Sequence, residues 1–250
     1  MSNDAEPKAR RVRLDVRRQD APDKPGSRRS EKLETSWSPG LTLAGALRQI
    51  ERESTNPPAW DAGCLEGDCG ACAMLVNGHV RQACTTRVAE VSPKGKPIVL
   101  EPLSKLPVVR DLVVDRAPLR SALASVRAGL DVDWSDGHAA AAATTGQHTL
   151  ALSCCTDCGA CLEACPQWGP HTDFVGAASL NEVRRLALSP ARALEKTSRL
   201  EAVMTPGGIA DCGKAQNCVE VCPMGIPLVD SLQTLSRETT RELLSSWLFG

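Results

Sequence analysis

Cys155-Thr-Asp-Cys158-Gly-Ala-Cys161-Leu-Glu-Ala-Cys165-Pro166 sets four thiols at the intervals C-x2-C-x2-C-x3-C, with proline directly after the last. Three thiolates this close face inward together only when the backbone curls around a compact inorganic core. In iron–sulfur chemistry such a run sends its fourth cysteine, the one before proline, to a second cluster. One run therefore asks for a partner. Cys212-Gly-Lys-Ala215-Gln-Asn-Cys218-Val-Glu-Val-Cys222-Pro223 is that partner, with the same intervals and alanine where the middle cysteine stands in the first run. Exchanging the fourth ligands gives Cys155, Cys158, Cys161 and Cys222 to one cluster, a complete 4Fe-4S set. The other keeps Cys165, Cys212 and Cys218. Ala215 carries no ligand atom, so this set reads as a 3Fe-4S centre, although water or hydroxide at the open corner of a four-iron cluster leaves the same trace in the sequence. Cys154 breaks the interval and reads as an adjacent thiol without a ligand role.

A third set lies upstream. Cys64-Leu-Glu-Gly-Asp-Cys69-Gly-Ala-Cys72, with Cys84 farther on, has the C-x4-C-x2-C spacing of a plant-type 2Fe-2S site. Between Cys72 and Cys84 stands Asn77-Gly78, flanked by apolar runs, the signal of a two-residue type I′ hairpin. Such a turn pairs Val76 with His79 and Cys72 with Ala83, which returns Cys84 beside Cys72. Gly63, Gly67 and Gly70 keep the loop free of Cβ atoms where its amides approach sulfur.

The surrounding pattern frames this loop as a β-grasp. Val12, Leu14 and Val16 alternate with Arg13, Asp15 and Arg17, the period of a half-buried strand. Residues 20–29 read as a loop, 31–37 as the returning strand, and Thr42 caps a helix striped by Leu43, Ala46, Leu47 and Ile50 and ended by Asn56-Pro57-Pro58. Ile98 to Leu100 closes the sheet, and 102–107 reads as the departure from the first domain. Beyond it the period becomes helical. Pro118 opens a helix through Leu119, Leu123, Val126 and Gly129. Residues 131–149, rich in Ala, Gly and Thr, read as a flexible insertion. Ser179-Leu-Asn-Glu182 and Ser198-Arg-Leu-Glu201 fit the capping box. Pro227 opens a helix striped by Val229, Leu232, Leu235, Leu243 and Trp247. The predicted fold is α+β: an N-terminal β-grasp 2Fe-2S domain over 1–110, then an α-helical two-cluster domain over 111–250.

Composition narrows the function. At 250 residues with 42% hydrophobic side chains the chain can build a real core, while aromatics are only 3%, so the clusters are expected to carry part of the stability. Lys plus Arg number 29 against 30 acids, a balance that gives no field for nucleic acid. The Arg10-Arg11 pair is followed by alternating charge rather than an apolar stretch, which argues against an export signal. No window approaches the ~18 apolar residues that span a bilayer, so membrane association is expected only through a partner. Twelve cysteines at ligand spacing, without a secretory leader, disfavour a disulfide framework. Zinc is the stronger competitor and would make the chain a zinc-stabilised binding module, but zinc closes with four ligands and does not call for C-x2-C-x2-C-x3-C-P. No G-x-G-x-x-G fingerprint is present, and His79, His138, His148 and His171 show no mutual ligand spacing. Three clusters without a catalytic constellation describe an electron relay whose donor and acceptor lie on partner proteins.

With these three cysteine sets, Pro107-Val-Val-Arg-Asp-Leu-Val-Val-Asp115, Arg199-Leu-Glu-Ala and Asn217-Cys218-Val-Glu-Val-Cys222-Pro223 in hand, the chain resembles the iron–sulfur subunits of succinate dehydrogenase and fumarate reductase over nearly its whole length. The resemblance implies a flavoprotein subunit carrying FAD beside the 2Fe-2S domain and a membrane anchor beside the 3Fe-4S centre. It also implies a peripheral position on the cytoplasmic face of the membrane. Electrons would pass from flavin through 2Fe-2S, 4Fe-4S and 3Fe-4S to quinone. Ubiquinone-type relatives carry two consecutive tryptophans soon after the Cys-Pro and a histidine after the first cysteine of the second run. Here the segments are Cys165-Pro166-Gln167-Trp168-Gly169-Pro170 and Cys212-Gly213. This is similar to the branch with a dihaem cytochrome b anchor, which implies haem b on the partner and menaquinone as acceptor. Trp168 either lines the quinone path or packs between helices. A soluble fumarate reductase with another donor, such as thiols, is the competing enzyme reading.

Overall fold

The computed structural model describes residues 10–126, 147–188 and 196–249. The chain divides into two units, Met1–Asp115 and Arg116–Gly250.

In the first unit the alternation at the N-terminus becomes β1 (Arg11–Arg18), which buries Val12, Leu14 and Val16 and turns Arg11, Arg13 and Arg17 to solvent. It pairs antiparallel with β2 (Arg29–Ser36), where Leu14 meets Leu33. α1 (Leu43–Glu53) follows. Thr42 caps it by accepting the Gly45 N–H at 3.1 Å, and Leu43, Ala46, Leu47 and Ile50 face the core. The hairpin of β3 (Ala73–Val76) and β4 (His79–Gln82) comes next, then the short α2 (Val88–Val91) and β5 (Ile98–Glu101). β5 inserts between β1, to which it is parallel, and β3, to which it is antiparallel, giving the order β2-β1-β5-β3-β4. This mixed sheet, backed by α1, is the predicted β-grasp.

Residues 102–107, read as the departure from the first domain, directly follow β5. Beyond them β6 (Val108–Arg110) and β7 (Val113–Val114) form a small hairpin with Asp111 in its turn, and the division falls after Asp115. The reason is an ion pair that no periodicity announces. The period-two alternation of β1 runs on to Arg18 and puts its guanidinium inside. There Nε donates to Asp111 Oδ1 at 3.0 Å, both side chains being 1% exposed. The same carboxylate accepts the backbone N–H groups of Gln19 at 3.0 Å and Ala59 at 2.9 Å. Asp111 thus ties the end of β1 and the segment after α1 to the β6–β7 turn.

The second unit is helical: α3 (Ala117–Ser125), α4 (Gln147–Ser153), α5 (Ala160–Glu163), α6 (Gly176–Ala187), α7 (Lys196–Met204), α8 (Asn217–Glu220) and α9 (Leu228–Phe249). α6 is the hub, packing on α4, α5, α7 and α9. Its Leu180 and Val183 are fully buried, as are Leu200 and Val203 of α7 and Leu235 of α9. The buried Asn181 is satisfied on both ends of its amide, donating to the Leu152 carbonyl at 3.1 Å and accepting from the Ser231 hydroxyl at 3.2 Å. One side chain therefore joins α4, α6 and α9.

Several helix readings change. Neither S-x-x-E is a capping box: α6 begins at Gly176, so Ser179 lies inside it, 2% exposed, and Ser198 lies inside the described part of α7. Gly176 sets the start of α6 because the chain turns there at φ 82°, where a Cβ would stand 2.1 Å from Leu162 Cδ2. Local capping pattern yields to packing. α3 ends at Ser125, Gly129 lies outside the described residues, and of the proposed insertion 131–149 only 147–149 is described, as the first turn of α4. Pro227 does open α9, its carbonyl accepting the Ser231 N–H at 3.0 Å. The apolar stripe is buried only through Leu232 and Leu235; Leu243 and Trp247 are 57% and 79% exposed.

Candidate metal centres

The loop before β3 is bent around sulfur. Cys64 Sγ accepts backbone N–H groups from Glu66, Asp68 and Cys69 at 3.4, 3.2 and 3.3 Å, and Cys69 Sγ accepts the Cys64 N–H at 3.3 Å. Those amides, of Glu66 and Cys69 first, draw the Cys64 thiol down to about 7. The bend is made by left-handed residues, Leu65 at φ 62°, Gly67 at 96° and Gly70 at 66°. Gly63 serves a different need, since a Cβ there would lie 2.6 Å from Cys69 Sγ. The fourth thiol arrives by the hairpin. Asn77 and Gly78 both have positive φ, 51° and 80°, as a type I′ turn requires, and Val76 faces His79. The Ala83 N–H then bonds the Cys72 carbonyl at 3.1 Å, and the Cys72 and Cys84 sulfurs lie 3.2 Å apart. Burial, and then Cys72 itself, push the Cys84 thiol up to about 12.

In the second unit the two runs share one backbone course. Asp157 and Gly159 of the first have φ 49° and 80°; Lys214 and Gln216 of the second have φ 56° and 64°. Each run then enters a single helical turn, α5 after Gly159 and α8 after Gln216. Ala215 therefore stands in the second loop where Cys158 stands in the first. Arg116 fastens the first loop, donating from Nη1 to the carbonyls of Asp157 and Cys158, each at 3.1 Å. Asn217 ties the runs together by donating to the Ala164 carbonyl at 3.0 Å.

Two hollows result, and the thiols around them are the exchanged sets. Cys155, Cys158, Cys161 and Cys222 line one, together with Asn181, Ile226 and Leu228. Cys165, Cys212 and Cys218 line another, together with Gln167, Phe174, Ala215 and Leu232. Burial raises the thiols of Cys155, to about 12, and of Cys158, Cys161 and Cys218. Left without metal, these sulfurs hold their protons; ferric or ferrous iron displaces them and supplies the charge that burial denies the thiolates. Among the described residues no three His, Cys, Asp or Glu side chains converge as ligands of a single metal ion. A hollow with donors around its rim and none at its centre fits a cluster better than a lone zinc.

Cys154 joins neither hollow; its thiol donates to the Leu150 carbonyl at 3.4 Å. Trp168 lines neither hollow either. It is 7% exposed, with Cδ1 3.1 Å from where a Gly176 Cβ would stand, so of its two readings the geometry favours helix packing. A groove of about 290 Å³ that the sequence does not announce opens beside Cys212 and Cys218, lined by Ile209, Lys214, Val229, Gln233 and Arg237. Its walls come from the second cysteine run and from α9, two stretches that share no local motif, so only the packed structure brings them together.

Comparison with known proteins agrees with this layout. Residues 13–121 match the 2Fe-2S iron-sulfur cluster binding domain family and residues 151–226 the 4Fe-4S dicluster domain family. The chain is 39% identical over 249 residues to the succinate dehydrogenase iron-sulfur subunit of Bacillus subtilis, covering 96% of each chain. It is 29% identical over 207 residues to the fumarate reductase iron-sulfur subunit of Wolinella succinogenes, covering 80% of this chain and 85% of that one. Among solved structures it resembles a chain of the Mycobacterium smegmatis Sdh1 complex in the apo form, with a TM-score of 0.76 at 20% identity over 93% of this chain and 97% of that one. The zinc-module reading falls with these matches. From its cysteine spacing, its two thiol-lined hollows and its sequence relatives, the chain belongs to the iron–sulfur subunits of succinate dehydrogenase and fumarate reductase, electron-transfer parts of an oxidoreductase complex.

Proposed function

We propose that the chain carries electrons between a flavoprotein subunit that holds FAD and a quinone bound at a membrane-anchor subunit. Cys64, Cys69, Cys72 and Cys84 hold a 2Fe-2S cluster, Cys155, Cys158, Cys161 and Cys222 a 4Fe-4S cluster, and Cys165, Cys212 and Cys218 a 3Fe-4S cluster. When bound, these clusters supply one-electron carriers in series, which lets a two-electron flavin reaction feed a quinone one electron at a time. The observation that carries the reading is the sorting of seven second-unit thiols into a set of four and a set of three, with Ala215 in the loop position that Cys158 occupies in the other run. The protein's part is to hold the sulfurs, to aim amides at them, and to exclude water with Phe174, Leu228 and Leu232. The acceptor is menaquinone, reached through the groove beside Cys212 and Cys218, and the anchor is a haem-bearing cytochrome b. The chain sits peripherally on the cytoplasmic face, held by that anchor; no described helix is long and apolar enough to cross a membrane.

The test is reconstitution by parts. The isolated, cluster-loaded chain is expected to show no succinate oxidation with an artificial acceptor. Activity should appear on adding the flavoprotein and reach quinone only with the anchor. Turnover by the flavin-free chain alone overturns the proposal, as does an oxidised complex whose low-temperature spectrum lacks the spin-half resonance of a three-iron cluster.

A further inference from the structure

Gln167 lies two residues beyond Cys165, inside the hollow of the three-thiol set. Its side-chain oxygen is 4.0 Å from Cys165 Sγ, with the thiol as donor. The terminal amide is seated against Gly213, the residue after Cys212: a Cβ at that glycine would stand 2.5 Å from Nε2, 2.6 Å from Cδ and 2.8 Å from Oε1. Gly213 is absent from the glycines with positive φ. Its backbone thus has no conformational need of glycine, and what the missing side chain provides is room. A side chain at 213 and the amide of Gln167 exclude each other.

We propose that Gln167 is a positioning residue that sets the potential of the centre held by Cys165, Cys212 and Cys218, donating an amide N–H to the Cys165 sulfur from a seat that glycine at 213 keeps open. The inference rests on the three-iron reading above. A thiolate bound to iron has no proton to give, so the amide turns its NH₂ rather than its oxygen to sulfur. Half a turn about the last side-chain torsion exchanges the two, at little cost in shape. Reduction adds negative charge that spreads onto the sulfurs, and an N–H aimed at one of them stabilises the reduced form more than the oxidised one. Hydrogen bonds to sulfur are among the determinants of cluster potential. Removing this donor lowers the potential.

The experiment is a potentiometric titration of the purified complex, followed through the spin-half resonance of the oxidised centre. Gln167→Leu is expected to shift the reduction equilibrium at fixed potential toward the oxidised form by up to about tenfold, about 59 mV for one electron. Gly213→Ala, which displaces the amide, is expected to move it the same way. The double variant should lie no lower than Gln167→Leu alone, because both changes remove one interaction. Gln167→Glu keeps the size of the side chain, removes the donor and adds charge, so it should lower the potential at least as far, and it serves as the test if leucine costs the cluster. The 2Fe-2S and 4Fe-4S potentials should not move. A full-strength resonance at the parent potential in Gln167→Leu or Gln167→Glu overturns the inference, and additive shifts in the double variant overturn the shared seat. A parent complex without the resonance sinks the three-iron reading instead, a distinguishable failure.

Discussion

At position 215 the backbone follows the course it takes at Cys158, because Lys214 and Gln216 take the left-handed turns that Asp157 and Gly159 take around Cys158. A sulfur placed there needs no movement of the chain. Ala215→Cys is therefore expected to convert the centre toward 4Fe-4S, abolishing the spin-half resonance of the oxidised state and lowering the potential. Retention of that resonance at full intensity, with the introduced thiol still open to alkylation, would count against the ligand position. The eleven cysteines of the three proposed sets and Ala215 stand out in the sequence because cluster chemistry asks for short, fixed intervals between thiols. The contact of Gln167 with Gly213 is not legible, since it joins residues from two different runs, and a glycine that supplies room reads in sequence like one that supplies a turn.

Elements are readable where one period governs them and misread where packing does. The alternation through Val16 predicts β1, and Asn77-Gly78 predicts the hairpin and its register down to the approach of Cys84 to Cys72. Ser179 and Ser198 carry a capping signature inside helices whose starts are set elsewhere. The stripe of α9 leaves the core after Thr239 even though its spacing continues, because no other described helix covers its last turns. Arg18 and Asp111 are the clearest omission: a charged residue at the end of an alternating strand reads as its solvated edge, yet here it is enclosed. Asp111→Ala takes the acceptor from Arg18 Nε and from the backbone N–H groups of Gln19 and Ala59, while Glu31 still pairs with Arg18 Nη1, so it is expected to destabilise the first unit by about 1–3 kcal/mol. Urea unfolding of the cluster-loaded chain, followed by the 2Fe-2S visible signal, measures it; a loss under about 1 kcal/mol would show that the pair is not structurally important.

Across the whole molecule the ligand sets respect the division into units: the first lies entirely within Met1–Asp115 and the other two within Arg116–Gly250. Cys69→Ser is accordingly expected to damage the 2Fe-2S signal while both later clusters assemble, as quantitative spin counting would show. Loss of all three signals from folded protein would contradict independent assembly. The proposed exchange of Cys165 and Cys222 between the two runs has a further consequence, in the timing of synthesis. The first site has all its thiols once Cys84 has been translated. The set begun by Cys155 waits for Cys222, the last cysteine of the chain, and the set begun by Cys165 waits for Cys218. At ~5–20 residues per second the stretch from Cys165 to Cys218 takes on the order of 3–10 s to make. For that interval the nascent chain carries the whole first run with neither later site complete, and its thiols stand open to oxidation and to stray metal. Iron delivery to the second half is thus a step that follows elongation, and a ribosome stalled before Cys218 yields a chain with one finished site and a run of unpartnered thiols.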